Sequence, residues 1–485
     1  SLYATGDIFE LPGGPVAFGI GVETRMDEIK SLPDQVAEEG LLFAFFADGG
    51  AVGDKTTNEA FAEIELPLMA GVPGVQELTT NFSSRFTDDE IYGGNWTWSG
   101  KLGYRPTESL LIRGTYGTAF RAPNLRELYL KDQTSFNNAL FDPCFAPEDA
   151  INDVTGEYDP ALDNREPEVF TNCAANGVDA TQAVGFGRQI YPVEVATGGS
   201  LTLEPEKSES WSAGLSWDQP FTNAFGLNVS ATYYEIEVRN TIIEPSSQFI
   251  VNDCYNSLTG NSAFCGRITR DLSDPTAPFI DLIDGGFINR DSETARGVDV
   301  NVAFDDTFTV FNRPIDLGLD IVANRQLGRD TLFVDEEGNE DFDSFLGEWG
   351  FPEWRVQSYL RLDYSDFRFV YEMRYTGSVI QDPAGVDDFD EAITGLSDTC
   401  DGPPDDVLCR DYADTDNYFL HNVSLYYYGD RWTFGGGIRN LLDEKPPIVD
   451  GTEITSVNNT PIGFGYDLRG RTYFLNVAVN FGGDM

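Results

Sequence analysis

LLIRGTYGTAFRAPNLRELY, residues 110–129, holds two patterns in succession. Leu110, Ile112 and Tyr116 fall on one side of an extended backbone, while Arg113, Thr115, Gly117 and Ala119 fall on the other. That period of two is the mark of a strand with an apolar and a polar face. From Phe120 the alternation stops, and Arg121, Ala122, Pro123, Asn124, Leu125, Arg126, Glu127 and Leu128 carry a proline and charge into a long polar connection. An ordinary edge strand running into a loop would account for the alternation, but not for the whole string.

The alternation recurs outward from there. Upstream it places strands near 15–26 (Val16, Phe18, Ile20, Val22), at 62–68, at 78–86 and at 96–105. Residues 1–15, interrupted by proline and glycine, read as a short piece outside the strands. Downstream the apolar sets are Trp211 to Trp217, Leu227 to Tyr233, Val298 to Phe304, Leu317 to Ile321, Trp354 to Tyr364, Phe367 to Tyr375, Phe419 to Tyr427, Trp432 to Ile438 and Tyr473 to Phe481. The count is about fourteen strands by the alternation criterion.

Connection lengths then decide the architecture. Ser365-Asp366 and Gly429-Asp430 join neighbouring strands, whereas the links after the strands ending near 121, 239, 327, 375 and 439 are long. Long and short links alternating with strand direction predict an all-β, antiparallel transmembrane barrel, with short turns at one end and long external loops at the other. A sandwich or propeller gives no reason to gather the long loops at one end, and no fixed repeat suggests blades. The predicted lipid-facing residues include Val298, Val300, Val302, Leu475, Val477 and Val479. The predicted lumen-facing residues are Arg113, Arg355, Arg361 and Arg374, with Gln357 and Glu372 among them. Mutual ion pairing in a wet lumen explains those arginines more simply than ligand contact.

Composition narrows the alternatives. No apolar run approaches the ~18 residues of a membrane helix, and residues 41–47 stop at Asp48. No basic segment followed by an apolar core and a cleavage site opens the chain, so it reads as a mature chain or an internal fragment. The net charge of −50, from 81 acidic and 31 basic residues, repels nucleic acid. The acidic runs 335–343 and 398–406 lack calcium-loop spacing, which favours a solvated surface over a metal site. Six cysteines fall in neighbouring pairs, Cys144 with Cys173, Cys254 with Cys265 and Cys400 with Cys409, all within long connections. Their even number, and the lack of C-x-x-C spacing, predict disulfides between neighbours in an oxidising compartment. His421 is the only histidine, so neither a zinc site nor a histidine-based triad is expected. Nucleophile-elbow, zinc-protease and phosphate-loop motifs are missing, and no catalysis and no cofactor are expected.

Three strings carry a resemblance to a known family. Residues 117–128 are similar to the G-T-x-FRAPNLxEL signature of TonB-dependent outer-membrane receptors. Gly437, Asn440, Leu441, Leu442, Asp443, Pro446 and Pro447 resemble that family's G-x-x-NLLDxxPP segment. Tyr466, Asp467, Gly470, Arg471, Tyr473 and Phe474 resemble its closing YDxxGRxYF strand. The resemblance implies a plugged barrel of about 22 strands. It also implies uptake of a scarce ligand, either a siderophore-iron complex, a vitamin or an oligosaccharide, with energy from the TonB complex. The expected partners are therefore outer-membrane lipid, TonB and that small-molecule or oligosaccharide ligand. With about fourteen strands, residues 1–485 are expected to be a partial barrel domain, with the plug, the energy-coupling box and further strands encoded upstream. The first and last strands of this chain would then be unpaired edges, or be forced together with poor hydrogen bonding. The family's usual terminal aromatic residue is displaced, since Phe481 is followed by Gly-Gly-Asp-Met. Two other functions stay open: a passive porin, and a secreted disulfide-bonded β-protein.

Overall fold

The structure is a computed structural model of the 485-residue chain. It describes residues 1–42, 47–131, 133–147, 150–152, 155, 157–182, 189–258, 260, 262–273, 277–334, 340–380, 415–449, 454, 456–457 and 460–481. The strands in chain order are β1 (Leu2–Leu11), β2 (Gly14–Ser31), β3 (Ala51–Val72), β4 (Val75–Asp89), β5 (Gly93–Thr107), β6 (Leu110–Arg121), β7 (Gln133–Phe141), β8 (Ile190–Thr197), β9 (Glu206–Asp218), β10 (Phe225–Ile243) and β11 (Ile268–Arg270). They continue as β12 (Ile280–Asp284), β13 (Ile288–Val310), β14 (Arg313–Val334), β15 (Glu340–Ser344), β16 (Trp354–Tyr364), β17 (Phe367–Thr376), β18 (Tyr418–Tyr428), β19 (Trp432–Arg439), β20 (Ser456–Val457), β21 (Thr460–Pro461) and β22 (Thr472–Val479). Four short helices accompany them: α1 (Gln35–Glu38), α2 (Leu125–Tyr129), α3 (Pro167–Ala175) and α4 (Ser247–Asn256).

A single sheet of 16 strands forms a wall in the order β1-β2-β3-β4-β5-β6-β9-β10-β13-β14-β16-β17-β18-β19-β22, with β15 flanking β14. Every pairing along it is antiparallel between successive wall strands. All the strands expected from alternation are present, and β1 and β15 are additions. Residues 1–15 therefore need correcting: Leu2 to Asp7 pair in register with Ala17 to Val22. A register shift between Asp7 and Glu10 interrupts the alternation there. The strand near 15–26 is consequently paired on both sides, and the free edges are β1 and β22. No ladder joins them, so the sheet is not closed.

Register carries the two-faced pattern from strand to strand. Ala231, Val300, Ala323, Val356, Tyr375 and Phe419 are consecutive partners across β10, β13, β14, β16, β17 and β18. One step along, Asn301 lies between Ser230 and Val322, and Gln357 pairs with Arg374. A slip of one residue at any ladder would break both rows, because it would turn every side chain of that strand over. Aromatics bound the apolar face: Trp354 and Tyr364 on β16, Tyr375 and Phe367 on β17, Phe419 and Tyr427 on β18. Eight to ten residues at about 3.3 Å each, tilted by about 45°, cover about 20 Å, close to the ~25 Å apolar band of a membrane barrel.

The wall is one side chain thick, so apart from a few positions such as Val16 the best-buried side chains lie outside it. The links β6–β9 and β10–β13 fold together into a cap with its own four-stranded sheet, β11-β12-β8-β7. Leu140, Val193, Ile250, Val251, Tyr255 and Ile283 form its core with Cys144, Cys173 and Cys254. Asp142, from the first link, receives both Arg270 guanidinium nitrogens of the second at 2.7 and 2.8 Å, and the Tyr191 hydroxyl at 2.6 Å. The Asp142 and Arg270 side chains are 0% and 4% exposed, so this is a buried pair whose hydrogen bonds offset its desolvation. Phe333 of β14 packs between Phe249 and Phe264 and braces the cap against the tall hairpin.

Candidate ligand site at the mouth

The signature segment folds back onto the polar face of the wall. Asn124 caps α2 through a capping box with Glu127. Arg121 is held between Glu127, at 3.0 Å, and Glu206, through close bidentate contacts. The Pro123 carbonyl accepts a 2.7 Å hydrogen bond from Lys55 Nζ, and Lys55 also faces Asp89 at 3.6 Å. Leu125 opens α2, and Leu128 is buried beneath it. A Cβ on Gly53 would lie 2.2 Å from the Tyr129 ring, so only glycine lets the helix settle there. Ala122 sits in the bend between strand and helix. Burial first, then the charges of Asp89 and Glu127, push the nearby Tyr92 hydroxyl up to about 12.

The other two motifs meet each other. Asn440, at φ 51°, receives Glu444 N on its side chain at 2.7 Å and donates its own N–H to Asn422 at 2.8 Å. Leu441 N donates to the His421 carbonyl. Asp443 Oδ1 accepts from Arg471 N at 2.9 Å, and Gly470, at φ +66°, brings its backbone close enough for that contact. Tyr473 projects on the apolar face of the last strand, while Phe474 lies on the opposite face under the Arg439 guanidinium. These motif residues act as joints between loops and wall.

The expected lumen arginines divide. Arg361 pairs with Asp363 at 3.2 Å. Arg374 pairs with Glu372 at 2.6 Å, and that carboxylate also accepts from Gln357 and Asn422. Arg113 donates to Thr232 Oγ1 at 2.8 Å, and Arg355 to the Gly350 carbonyl at 2.7 Å. Among the described residues, neither of these two has a carboxylate within salt-bridge distance. Arg355, Gln357 and Arg374 line a cavity of about 470 Å³ at the loop end of the polar face, with Asn324, Tyr418 and Phe464. Trp349, stacked on Tyr466 at 5.4 Å and edge-on to Phe464 at 5.5 Å, backs the Phe464 side of the lining. Burial raises the Tyr466 hydroxyl, and Arg355 works against that rise. Trp349, Phe464 and Tyr466 stand in loops without periodicity, and of these only Tyr466 fell inside a quoted motif; Tyr418 opens β18, one residue before the strand expected from Phe419.

The cap joins two of the cysteine pairs: Cys144 to Cys173, with Cα atoms 5.6 Å apart, and Cys254 to Cys265, at 4.8 Å. The pair Cys400 and Cys409 and the acidic run 398–406 lie outside the described residues, as does most of 335–343. No group of three or more acidic, histidine or cysteine side chains among the described residues is arranged to hold a metal ion.

Comparison with known proteins decides the family. The model described as TonB dependent receptor-like, beta-barrel matches residues 33–441. This chain belongs to that family. The TonB-dependent receptor wall also superposes on solved barrels of low sequence identity. The siderophore receptor PirA from Acinetobacter baumannii has a TM-score of 0.54 at 13% identity, over 99% of this chain and 54% of its own. For a ferric enterobactin receptor mutant, PfeA from Pseudomonas aeruginosa, the values are 0.55, 13%, 98% and 53%. For the hemophore receptor HasR from Serratia marcescens they are 0.53, 14%, 99% and 58%. This TonB-dependent receptor chain thus spans little more than half the length of the solved structures it matches.

Proposed function

We propose that the protein is an outer-membrane receptor that takes up a scarce small ligand, with energy delivered through TonB. The observation that carries this reading is the wall: a single antiparallel sheet with one apolar face bounded by aromatics and one polar face, and a disulfide-bonded cap built from two of its long links. Family membership supports it, since TonB-dependent receptors bind and import small ligands, and the matched neighbours include siderophore and hemophore receptors. The free edges of β1 and β22 support a larger barrel, in which further strands of the full receptor complete the wall around a plug. An open sheet edge in hydrocarbon leaves backbone donors and acceptors unpaired, each costing several kcal/mol. A passive porin is the weaker reading, because it gives no role to a cap clamped over the mouth.

Membrane fractionation tests this first. The protein should appear in outer membranes and migrate faster on a gel before boiling than after it. Recovery as a soluble secreted protein would overturn the reading. A deletion strain grown on a panel of iron, vitamin and glycan sources, each in limiting amounts, would then identify the ligand by which source stops supporting growth.

A further inference from the structure

In a chain with 81 acidic and 31 basic residues, a guanidinium has carboxylates to choose from. Toward the short-turn end of the β16–β17 hairpin, Arg361 and Arg368 share Asp363 at 3.2 and 2.6 Å, and at the mouth cavity Arg374 pairs with Glu372 at 2.6 Å. Arg355 is placed differently: it lines the cavity with its charge matched only by a backbone carbonyl. Glu372 is occupied by Arg374, Gln357 and Asn422, which leaves Arg355 the one cation of the lining without a carboxylate partner among the described residues. The volume, about 470 Å³, falls in the usual range of small-molecule sites, ~300–1,000 Å³. Phe464 and Tyr418 give it flat apolar walls, backed by Trp349 and Tyr466.

We infer that this cavity takes a ligand bearing a single carboxylate on a flat ring body, and that Arg355 selects the carboxylate. The inference rests on the uptake reading and names the ligand chemistry of that site. A planar fork of N–H donors matches a carboxylate in two parallel hydrogen bonds, and the aromatic walls accept the face or edge of a ring. One net positive charge suits one negative charge. A multiply charged chelate would bring its further charges toward Glu372, two residues below Arg374 on β17, and toward Glu353 beside Trp354. The site therefore discriminates by charge number as well as by shape.

The test is equilibrium dialysis on the protein purified from membranes in detergent, with three probes: 2-naphthoate, the neutral 2-naphthamide, and a trianionic ferric tris-catecholate. The expected result is naphthoate held at least tenfold tighter than the amide, with the catecholate weakest of the three. Arg355→Gln should abolish the preference for naphthoate over the amide, weakening naphthoate far more than the amide; Arg355→Lys should keep part of it; Arg113→Gln should leave it intact. A preference that survives Arg355→Gln, or a catecholate bound more tightly than naphthoate, overturns the inference. If Arg355→Gln fails to fold, the wild-type order of the three probes and the Lys variant still decide. Localisation is scored separately by fractionation, so failure of this titration leaves the uptake reading standing, and failure of fractionation is seen without it.

Discussion

Lys55 and Asp89 show what one pair of side chains does for the signature segment. Their side chains are 9% and 2% exposed, and Lys55 also holds the Pro123 carbonyl. Lys55→Met would keep most of the volume but leave Asp89 buried without its partner, a loss of about 3–5 kcal/mol by analogy with other broken buried pairs. The variant should unfold at a lower denaturant concentration, and Lys55→Met with Asp89→Leu should recover part of the difference; equal stability of both with wild type would show the pair to be idle. Facing is a second residue-scale matter. Val300 sits between Ala231 and Ala323 on the apolar face, and Asn301 between Ser230 and Val322 on the polar one. Val300→Arg should cost about 2–4 kcal/mol in a lipid folding assay and Asn301→Arg far less. Equal tolerance would mean the faces are assigned the wrong way round.

Among the elements, strands were legible and loops were not. Alternation is a local signal, and it gave β2 to β6, β9, β10, β13, β14, β16 to β19 and β22 because each has one apolar and one polar face; the short β15, inside a link read as loop, was missed. Alternation also failed at β1, where the bulge between Asp7 and Glu10 shifts the period and glycine and alanine thin the apolar set. The cap left no periodic trace: its core draws Leu140, Ile250 and Ile283 from segments far apart in sequence, and only its cysteines announced it. Arg355 and Arg374 could be assigned to the polar face from parity, and Glu372, two residues from Arg374, to the same face; that Arg355 meets the Gly350 carbonyl in place of a carboxylate depends on a loop that no spacing reveals. Within the cap, Arg165 pairs with Asp163 at 2.6 Å, and both side chains are nearly buried. Burial alone would raise the Asp163 carboxyl; hydrogen bonds from Arg165 and Tyr158 override it and hold the group below the usual carboxylate range. A folded-state value below the unfolded one adds stability that is complete above about pH 4 and is lost as pH falls through the lower value. The cap should therefore become sensitive to protease only under strongly acidic conditions, and Asp163→Asn should remove that pH dependence. Unchanged acid sensitivity in the variant would show that another group controls it.

At the scale of the molecule, the wall has two ends that match nothing described here. Leu475 on β22 and Leu2 on β1 are 77% and 74% exposed, and the outer backbone edge of each strand is unpaired. If further strands of the receptor complete the barrel, amide hydrogens on those two edges should exchange as slowly in the protein from native membranes as those of β13 and β14. Fast exchange at β22 alone would mean the wall ends there.

The contact between Asp142 and Arg270 bears on how such a receptor can change. External loops usually accept insertions and substitutions one at a time. Here two loops share one buried charge pair and one apolar core, although 128 residues separate the paired side chains. A mutation that suits one loop must suit the other, so the pair is inherited as a unit. Anyone grafting this receptor's mouth onto a different barrel should move both insertions together, with the β9–β10 hairpin that spaces them; a single transplanted loop would arrive with half a core and an aspartate looking for its arginine.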